Sequence, residues 1–190
     1  MPHIPLPAHL PGITGLLEYS KETAHPIRVL TQILLRGEST LTPGERELIA
    51  TMVSHQNECK FCTAAHTATA DLLLGNTETC EMMKQDVDTT PVSDKMKALL
   101  KIAKQVQISG KAVSENHIAE AKVNGATDLE IHDTVLIAAL FCLYNRYVDG
   151  MATVAPSEPQ FYNGLGQRLV DNGYNRLPNG YDHLKQNQPS

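Results

Sequence analysis

The stretch from Leu41 to Asn76, LTPGERELIATMVSHQNECKFCTAAHTATADLLLGN, decides the fold. Thr42-Pro43-Gly44-Glu45 is a capping-box signature. The Thr42 hydroxyl can accept from a first-turn amide, Pro43 suits a position whose N–H needs no partner, and Glu45 can reach back to the cap. The signature predicts a helix from Pro43 to about Gln56. Asn57 is placed to cap a second helix that begins near Cys59 and stops at Gly75. On that helix Phe61, Ala65, Ala68 and Leu72 make an apolar stripe, and Cys59, Cys62, His66 and Thr69 make the stripe beside it. Two helices with so short a connection form a helical hairpin, with a Cys-x-x-Cys pair opening its second arm.

The same helical period continues on both sides of the hairpin. Between Ser20 and Arg36 it is carried by Ile27, Val29, Leu30, Ile33 and Leu34, with Gly37 as a stop; Pro26 sets the expected start of the regular helix near itself. A short helix is expected over Thr77 to Lys84. Ser93 can cap a helix bearing Met96, Leu99, Leu100, Ala103 and Val106, and Ser114 to Asn124 makes another. Thr127 to Glu130 repeats the capping box and opens a long apolar helix through Ile131, Val135, Ile137, Leu140 and Leu143 that is expected to reach about Val154. This repeat is a loose echo of Thr42 to Cys62. No segment alternates with period two, so the chain reads as all-α.

Three regions follow. Residues 1–19 hold Pro2, Pro5, Pro7 and Pro11 and are expected to form an extended arm lying on the domain or on a neighbour. Residues 20–155 form the helical domain. Residues 156–190 are a polar extension with a short helix expected over Phe161 to Val170 and a tail ordered in part by a partner chain.

A length of 190 residues suits one domain, and a hydrophobic fraction of 42% is ample for its core. The formal net charge is -5, and the sixteen Lys and Arg are scattered, which argues against a phosphate-backbone binder. The N-terminus lacks the basic start and apolar run of a secretory signal, and the longest apolar run, Val135 to Leu143, is too short to span a bilayer. A soluble, cytoplasmic protein without membrane contact is expected. In a reducing compartment the four cysteines are not expected to form a static disulfide framework, so the Cys59/Cys62 pair reads as catalytic, redox-sensing or metal-binding. A zinc site would need two further ligands at conventional spacing, and these are missing, so no metal is expected. No Gly-rich loop points to a nucleotide cofactor, and no cofactor is expected.

The residues around the pair favour redox work. Near a helix N-terminus, free amide donors and the helix dipole favour thiolate over thiol, and such sites lower a cysteine pKa from roughly 8.5 into a range of about 3.5 to 7.5. His66, at i+4 from Cys62, can accept its proton or hold the thiolate. Glu47, from the preceding helix, can fix the imidazole tautomer and relay the proton. In this reading Cys62 attacks a peroxide oxygen and becomes a sulfenic acid, and Cys59 condenses with it to a disulfide that an external dithiol reduces. His55, four residues before Cys59, is an accessory candidate. Asn145, Arg146 and Asp149, polar residues at the end of an apolar helix, are candidates for buttressing the redox helix or lining a pocket. Cys142 reads as buried and Cys80 as incidental in a polar context.

The string from Leu41 to Ala50, followed by Asn57-Glu58-Cys59-Lys60-Phe61-Cys62 and His66, resembles the AhpD-like alkylhydroperoxidases of the carboxymuconolactone decarboxylase superfamily. The match is closer to its peroxidase-related branch, which typically carries an Asn-Arg-x-x-Asp segment like Asn145 to Asp149. The resemblance spans roughly Ile4 to Gly173. It implies an all-helical homo-oligomer with thiol peroxidase activity on a hydroperoxide, Cys62 peroxidatic, Cys59 resolving, Glu47 and His66 as proton relay, and a lipoyl or thioredoxin-like dithiol as reductant. Well-studied alkylhydroperoxidases of this family carry a histidine directly before the second cysteine, where this chain has Phe61. Two other functions fit the scaffold: a decarboxylase-like enzyme without redox chemistry, and a redox sensor whose disulfide changes its assembly.

Overall fold

The computed structural model describes residues 1–181. Among them the regular structure is helical: α1 Ile13–Tyr19, α2 Lys21–Arg36, α3 Pro43–Gln56, α4 Lys60–Leu74, α5 Glu78–Gln85, α6 Asp94–Ile108, α7 Glu115–Val123, α8 Asp128–Gly150 and α9 Pro159–Asn172, with single 3-10 turns at Val87–Thr89 and Gly110–Ala112. The all-α reading and the hairpin of α3 and α4 are both present. None of these helices is long and apolar enough to cross a membrane.

Local chemistry starts α3, α6, α7 and α8 where the sequence predicts. Thr42 accepts from the Glu45 amide at 3.2 Å while Glu45 accepts from the Thr42 amide at 2.8 Å, and Thr127 and Glu130 repeat the exchange on α8. Ser93 caps α6 and Ser114 caps α7. Packing then decides the faces. α3 is buried on every side from Arg46 to Ser54, the pattern of a central helix, and packs against α4, α6 and α8. Leu48, Met52, Leu99, Ile102, Ile137 and Phe141 meet in the main core.

Glu130 does more than cap. It accepts from the Thr127 amide at 2.8 Å, the Thr40 hydroxyl at 2.8 Å and the Lys95 ammonium at 2.7 Å. Burial opposes its ionisation, yet these three donors outweigh burial and hold its pKa down to about 2. A carboxyl whose pKa is lower in the folded chain stabilises the fold above its unfolded pKa, and that stabilisation disappears as pH falls toward about 2. Glu130→Gln should therefore cost about 2 to 3 kcal/mol at pH 7, and less at pH 3, in denaturant titrations.

Several expectations are corrected. The N-terminal arm is extended only as far as Gly12, because Ile13–Tyr19 is helical with Leu16 and Leu17 buried. α2 begins at Lys21 and runs through Pro26; Pro26 and Glu22 are both exposed, so water can replace the donor that proline removes. The inward face of α2 is Ala24, Arg28, Thr31, Leu34 and Leu35, while Val29, Leu30 and Ile33 face outward. α8 stops at Gly150 rather than near Val154. On α4 the stripe of Cys62, His66 and Thr69 is buried together with Phe61 and Ala65, while Leu72 is exposed. α4 is covered on two sides, by α3, whose Glu47 holds His66, and by α9. The latter packs along α4 so closely that a Cβ at Gly166 would press on the Ala68 backbone at 3.1 Å.

α9 is longer than the short helix expected and buries Tyr162, Leu165 and Leu169 against α4, so the first part of the extension belongs to the packed domain. The rest of the predicted tail, residues 182–190, lies outside the described residues. The proline-rich arm lies on the domain, with the His3 amide donating to Met151 at 3.0 Å and the Gly12 amide to Val154 at 2.9 Å.

Candidate functional site

The connection between α3 and α4 turns through Glu58, which has φ +58°. A non-glycine residue in the left-handed region is uncommon, and here it brings Cys59 to the N-cap of α4. The Cys59 amide donates to the Ser54 carbonyl at 3.1 Å. Asn57 does not cap α4 as expected. Its side chain donates across to Asn145 at 2.8 Å and to the Cys142 sulfur at 3.7 Å, and accepts from Gln107 at 2.9 Å. Asn145 in turn donates to Ser54 at 3.1 Å. A chain of amides thus ties α3, α6 and α8 together beneath the cysteine pair.

Both cysteines are free thiols in a second apolar cluster formed by α1, α4, α8 and α9. Cys59 is wholly buried and Cys62 is 2% exposed. The low thiol pKa expected from the helix terminus is not what the structure gives for Cys62. Its thiol is hydrogen-bonded to Cys59 and buried, and both effects push its pKa well above the ordinary value; the Asn145 amide opposes them only in part. The sulfur of Cys59 makes no capping bond to the first-turn amides. Cys62 therefore rests as a buried thiol.

His66, the base expected from the sequence, has an anchored partner. Glu47, with 0% exposure, accepts from His66 Nδ1 at 2.7 Å through one oxygen. Its other oxygen accepts from Arg36 at 2.7 Å and from the Tyr174 hydroxyl at 2.5 Å. Burial alone would raise the Glu47 pKa, but His66, Arg36 and Tyr174 hold it below the usual carboxylate value. An ionised Glu47 requires the proton on Nδ1, which leaves Nε2 of a neutral His66 as the acceptor. The ring is held edge-on to Phe141 at 4.5 Å and parallel to Tyr174 at 6.2 Å. Burial and the Glu47 charge push the Tyr174 phenol well above its ordinary pKa, so it stays a donor.

Cys62 and His66 line one cavity of about 60 Å³ between α1, α2, α4, α8 and α9. A space of that size admits several waters or one small molecule, since each water needs about 10 to 15 Å³. Phe61, in the place of the family histidine, packs on Phe161 at 6.2 Å and Tyr162 at 5.8 Å. It also fills the space beside Gly12, where a Cβ would overlap its ring and where φ is +57°. Phe61 thus fastens α9 and the arm over the site instead of adding an imidazole.

The structure brings together Glu47, Cys59, Cys62 and His66 as the sequence grouped them. Asn145 is buried beside Cys62, whereas His55 lies on an outer groove with Lys60 and Asp71, away from the cavity. Arg146 is exposed and donates to the Cys142 carbonyl of its own helix, and Asp149 is exposed as well. Cys142 is half-buried, and Cys80 is buried, with its thiol pKa raised chiefly by burial and next by Asp71. Sequence reasoning missed Arg36, Tyr174, Ser54, Asn57 as a bridge, and Gln107. Arg36 resembles any last-turn cation. Tyr174 sits in a polar stretch 127 positions from Glu47, with no periodic signal to mark it. Among the described residues no group of three His, Cys, Asp or Glu side chains is arranged to hold a metal.

The helical hairpin with its buried cysteine pair places the chain in the AhpD-like class of all-α folds. Residues 23–79 match the carboxymuconolactone decarboxylase family. A solved structure of an uncharacterized peroxidase-related protein from Silicibacter sp. TM1040 is 25% identical, with TM-score 0.73, covering 81% of this chain and 79% of that one. An uncharacterized peroxidase-related protein from Ralstonia eutropha JMP134, described as an alkylhydroperoxidase AhpD core, is 22% identical, with TM-score 0.73, covering 83% and 81%. A protein of unknown function from Agrobacterium tumefaciens, named as an antioxidant defence candidate of the AhpD type, is 21% identical, with TM-score 0.65, covering 75% and 97%. No curated protein matches the chain. The fold is thus the AhpD-like all-α fold, and the stretch that matches the carboxymuconolactone decarboxylase family contains the hairpin with Glu47, Cys59, Cys62 and His66.

Proposed function

We propose that the protein is a thiol-dependent peroxidase that reduces hydroperoxides through a Cys59/Cys62 dithiol-disulfide cycle. The observation that carries this reading is that Cys62 and His66 open on the same cavity while Nδ1 of His66 is fixed on buried Glu47. When a hydroperoxide enters, Nε2 of His66 takes the Cys62 proton. The sulfur attacks the terminal peroxide oxygen, an S–O bond forms as the O–O bond breaks, and the leaving alkoxide takes the proton back from His66. The Cys59 sulfur then displaces hydroxide from the Cys62 sulfenic acid, giving a disulfide and water. A dithiol of the lipoyl or thioredoxin kind returns two electrons and two protons. The outward Val29, Leu30 and Ile33 of α2 support assembly as a homo-oligomer.

Peroxide consumption with dihydrolipoamide or dithiothreitol as donor tests the reading, with wild type compared against Cys62→Ser. Equal rates would sink it. Tyr174 is a positioning residue in this scheme, because it acts on Glu47 and not on the peroxide. Removing its hydroxyl takes away one of the donors that keep the Glu47 pKa low. Tyr174→Phe should slow turnover about tenfold and move the acid limb of the pH-rate profile to higher pH; a profile of unchanged shape would deny Tyr174 this role.

A further inference from the structure

The cavity that Cys62 and His66 line is also lined by two buried guanidinium groups that the peroxidase scheme does not use. Arg28 comes from the inward face of α2 and is 6% exposed; Arg168 comes from α9 and is 9% exposed. Both lie over the ring of Tyr181, at 5.4 Å and 4.9 Å. The Nε of each is buried without a hydrogen-bond partner among the described residues. Among those residues the carboxylate nearest Arg28 is Glu18 at 3.5 Å, and Glu18 is already clamped by two 2.9 Å bonds from Arg176. No described carboxylate pairs with Arg168, and burial works against its charge, as does repulsion from Arg28.

A buried cation without an anion is costly, and guanidinium does not lose its proton to escape that cost. Glu47 cannot supply the missing charge, since both its oxygens are committed to His66, Arg36 and Tyr174. An anion entering the cavity would recover the cost. A carboxylate fits best because its two oxygens match the guanidinium fork. The remaining wall, with Leu17, Leu165 and Leu169, suits a short alkyl chain. Hydrogen peroxide or a neutral alkyl hydroperoxide would leave Arg168 without an anion and Arg28 with only its 3.5 Å ion pair to the shared Glu18.

We propose that this cavity is a carboxylate-binding site and that the substrate is a small organic hydroperoxide bearing a carboxylate, its anionic end on Arg28 and Arg168 and its peroxide toward Cys62. The substrate half rests on the peroxidase reading above; the anion site does not. Calorimetry on the reduced protein with 4-methylpentanoate and 4-methylpentanamide tests the site without turnover. Wild type should bind the acid about 10- to 100-fold more tightly than the amide, Arg168→Gln should lose that preference, and Arg168→Lys should keep part of it. The acid, and not the amide, should raise the melting temperature of wild type. In parallel, wild type should turn over 4-hydroperoxy-4-methylpentanoate more efficiently than its methyl ester by a similar factor in kcat/KM, and the ratio should fall to near one in Arg168→Gln. Equal binding of acid and amide by wild type would overturn the proposal, as would a preference surviving in both Arg28→Gln and Arg168→Gln. Preferential binding without turnover of any peroxide would uphold the anion site and overturn the peroxidase reading. Turnover with no preference for the acid would do the reverse.

Discussion

Glu47→Gln should cut hydroperoxide turnover by about 10²- to 10⁴-fold while also destabilising the fold by about 3 to 5 kcal/mol. Both effects come from one carboxylate. It fixes the His66 tautomer that leaves Nε2 as an acceptor, and it neutralises Arg36 where neither group can reach solvent easily. A glutamine keeps the shape and can still hydrogen-bond, but it offers no charge to imidazolium or guanidinium, so the Arg36 cation stays buried without compensation. Denaturant titration of the variant with peroxide kinetics under conditions where it remains folded separates the two effects. A folded Glu47→Gln protein with wild-type turnover would remove His66 and Glu47 from the mechanism. One with wild-type stability would show that Arg36 finds another partner.

The two cysteines should fail in different ways. Cys62→Ser should lower turnover to background, because a hydroxyl in place of the thiol cannot attack a peroxide oxygen at a useful rate. Cys59→Ser should still consume one equivalent of peroxide and then stop, with Cys62 held as a sulfenic acid that a dimedone-type probe captures. The raised pKa of the resting Cys62 adds a condition. Alkylation of Cys62 by iodoacetamide should be slow at neutral pH in wild type and faster in Cys59→Ser, where the thiol that holds its proton is gone. If the serine variants exchanged these phenotypes, the assignment of attacking and resolving sulfurs would be reversed.

What the sequence disclosed and what it hid follow from the range of the forces involved. Capping boxes at Thr42 and Thr127 act within one turn, and both are present where the residues predict them. The Glu47, Cys59, Cys62 and His66 grouping was legible because it sits on one hairpin, within 19 positions from Glu47 to His66. The inward face of α2 was not. Its apolar residues pointed to Val29, Leu30 and Ile33, but Arg28 and Thr31 are drawn inward by Glu18 and Tyr144, contacts no periodicity encodes. The buried face of α4 is likewise wider than its apolar stripe, because α9, far along the chain, packs on α4 in addition to α3. The Cys62 thiol shows the same limit in electrostatic form. Position at a helix start suggested a thiolate, whereas the neighbouring Cys59 and burial favour the thiol. Phe61, an apparent defect beside the family pattern, is a packing residue for segments the local spacing could not reveal.

In the proposed cycle the buried pair itself is what a hydroperoxide oxidises. Fully reduced protein mixed with one equivalent of hydroperoxide, quenched by alkylation and mapped by peptide mass, tests it without any assumption about the reductant. Two thiols per peroxide should be lost, both from the peptide containing Cys59 and Cys62, with Cys80 and Cys142 still alkylated. Four alkylated thiols with the peroxide unconsumed, or oxidation confined to Cys80 or Cys142, would contradict it.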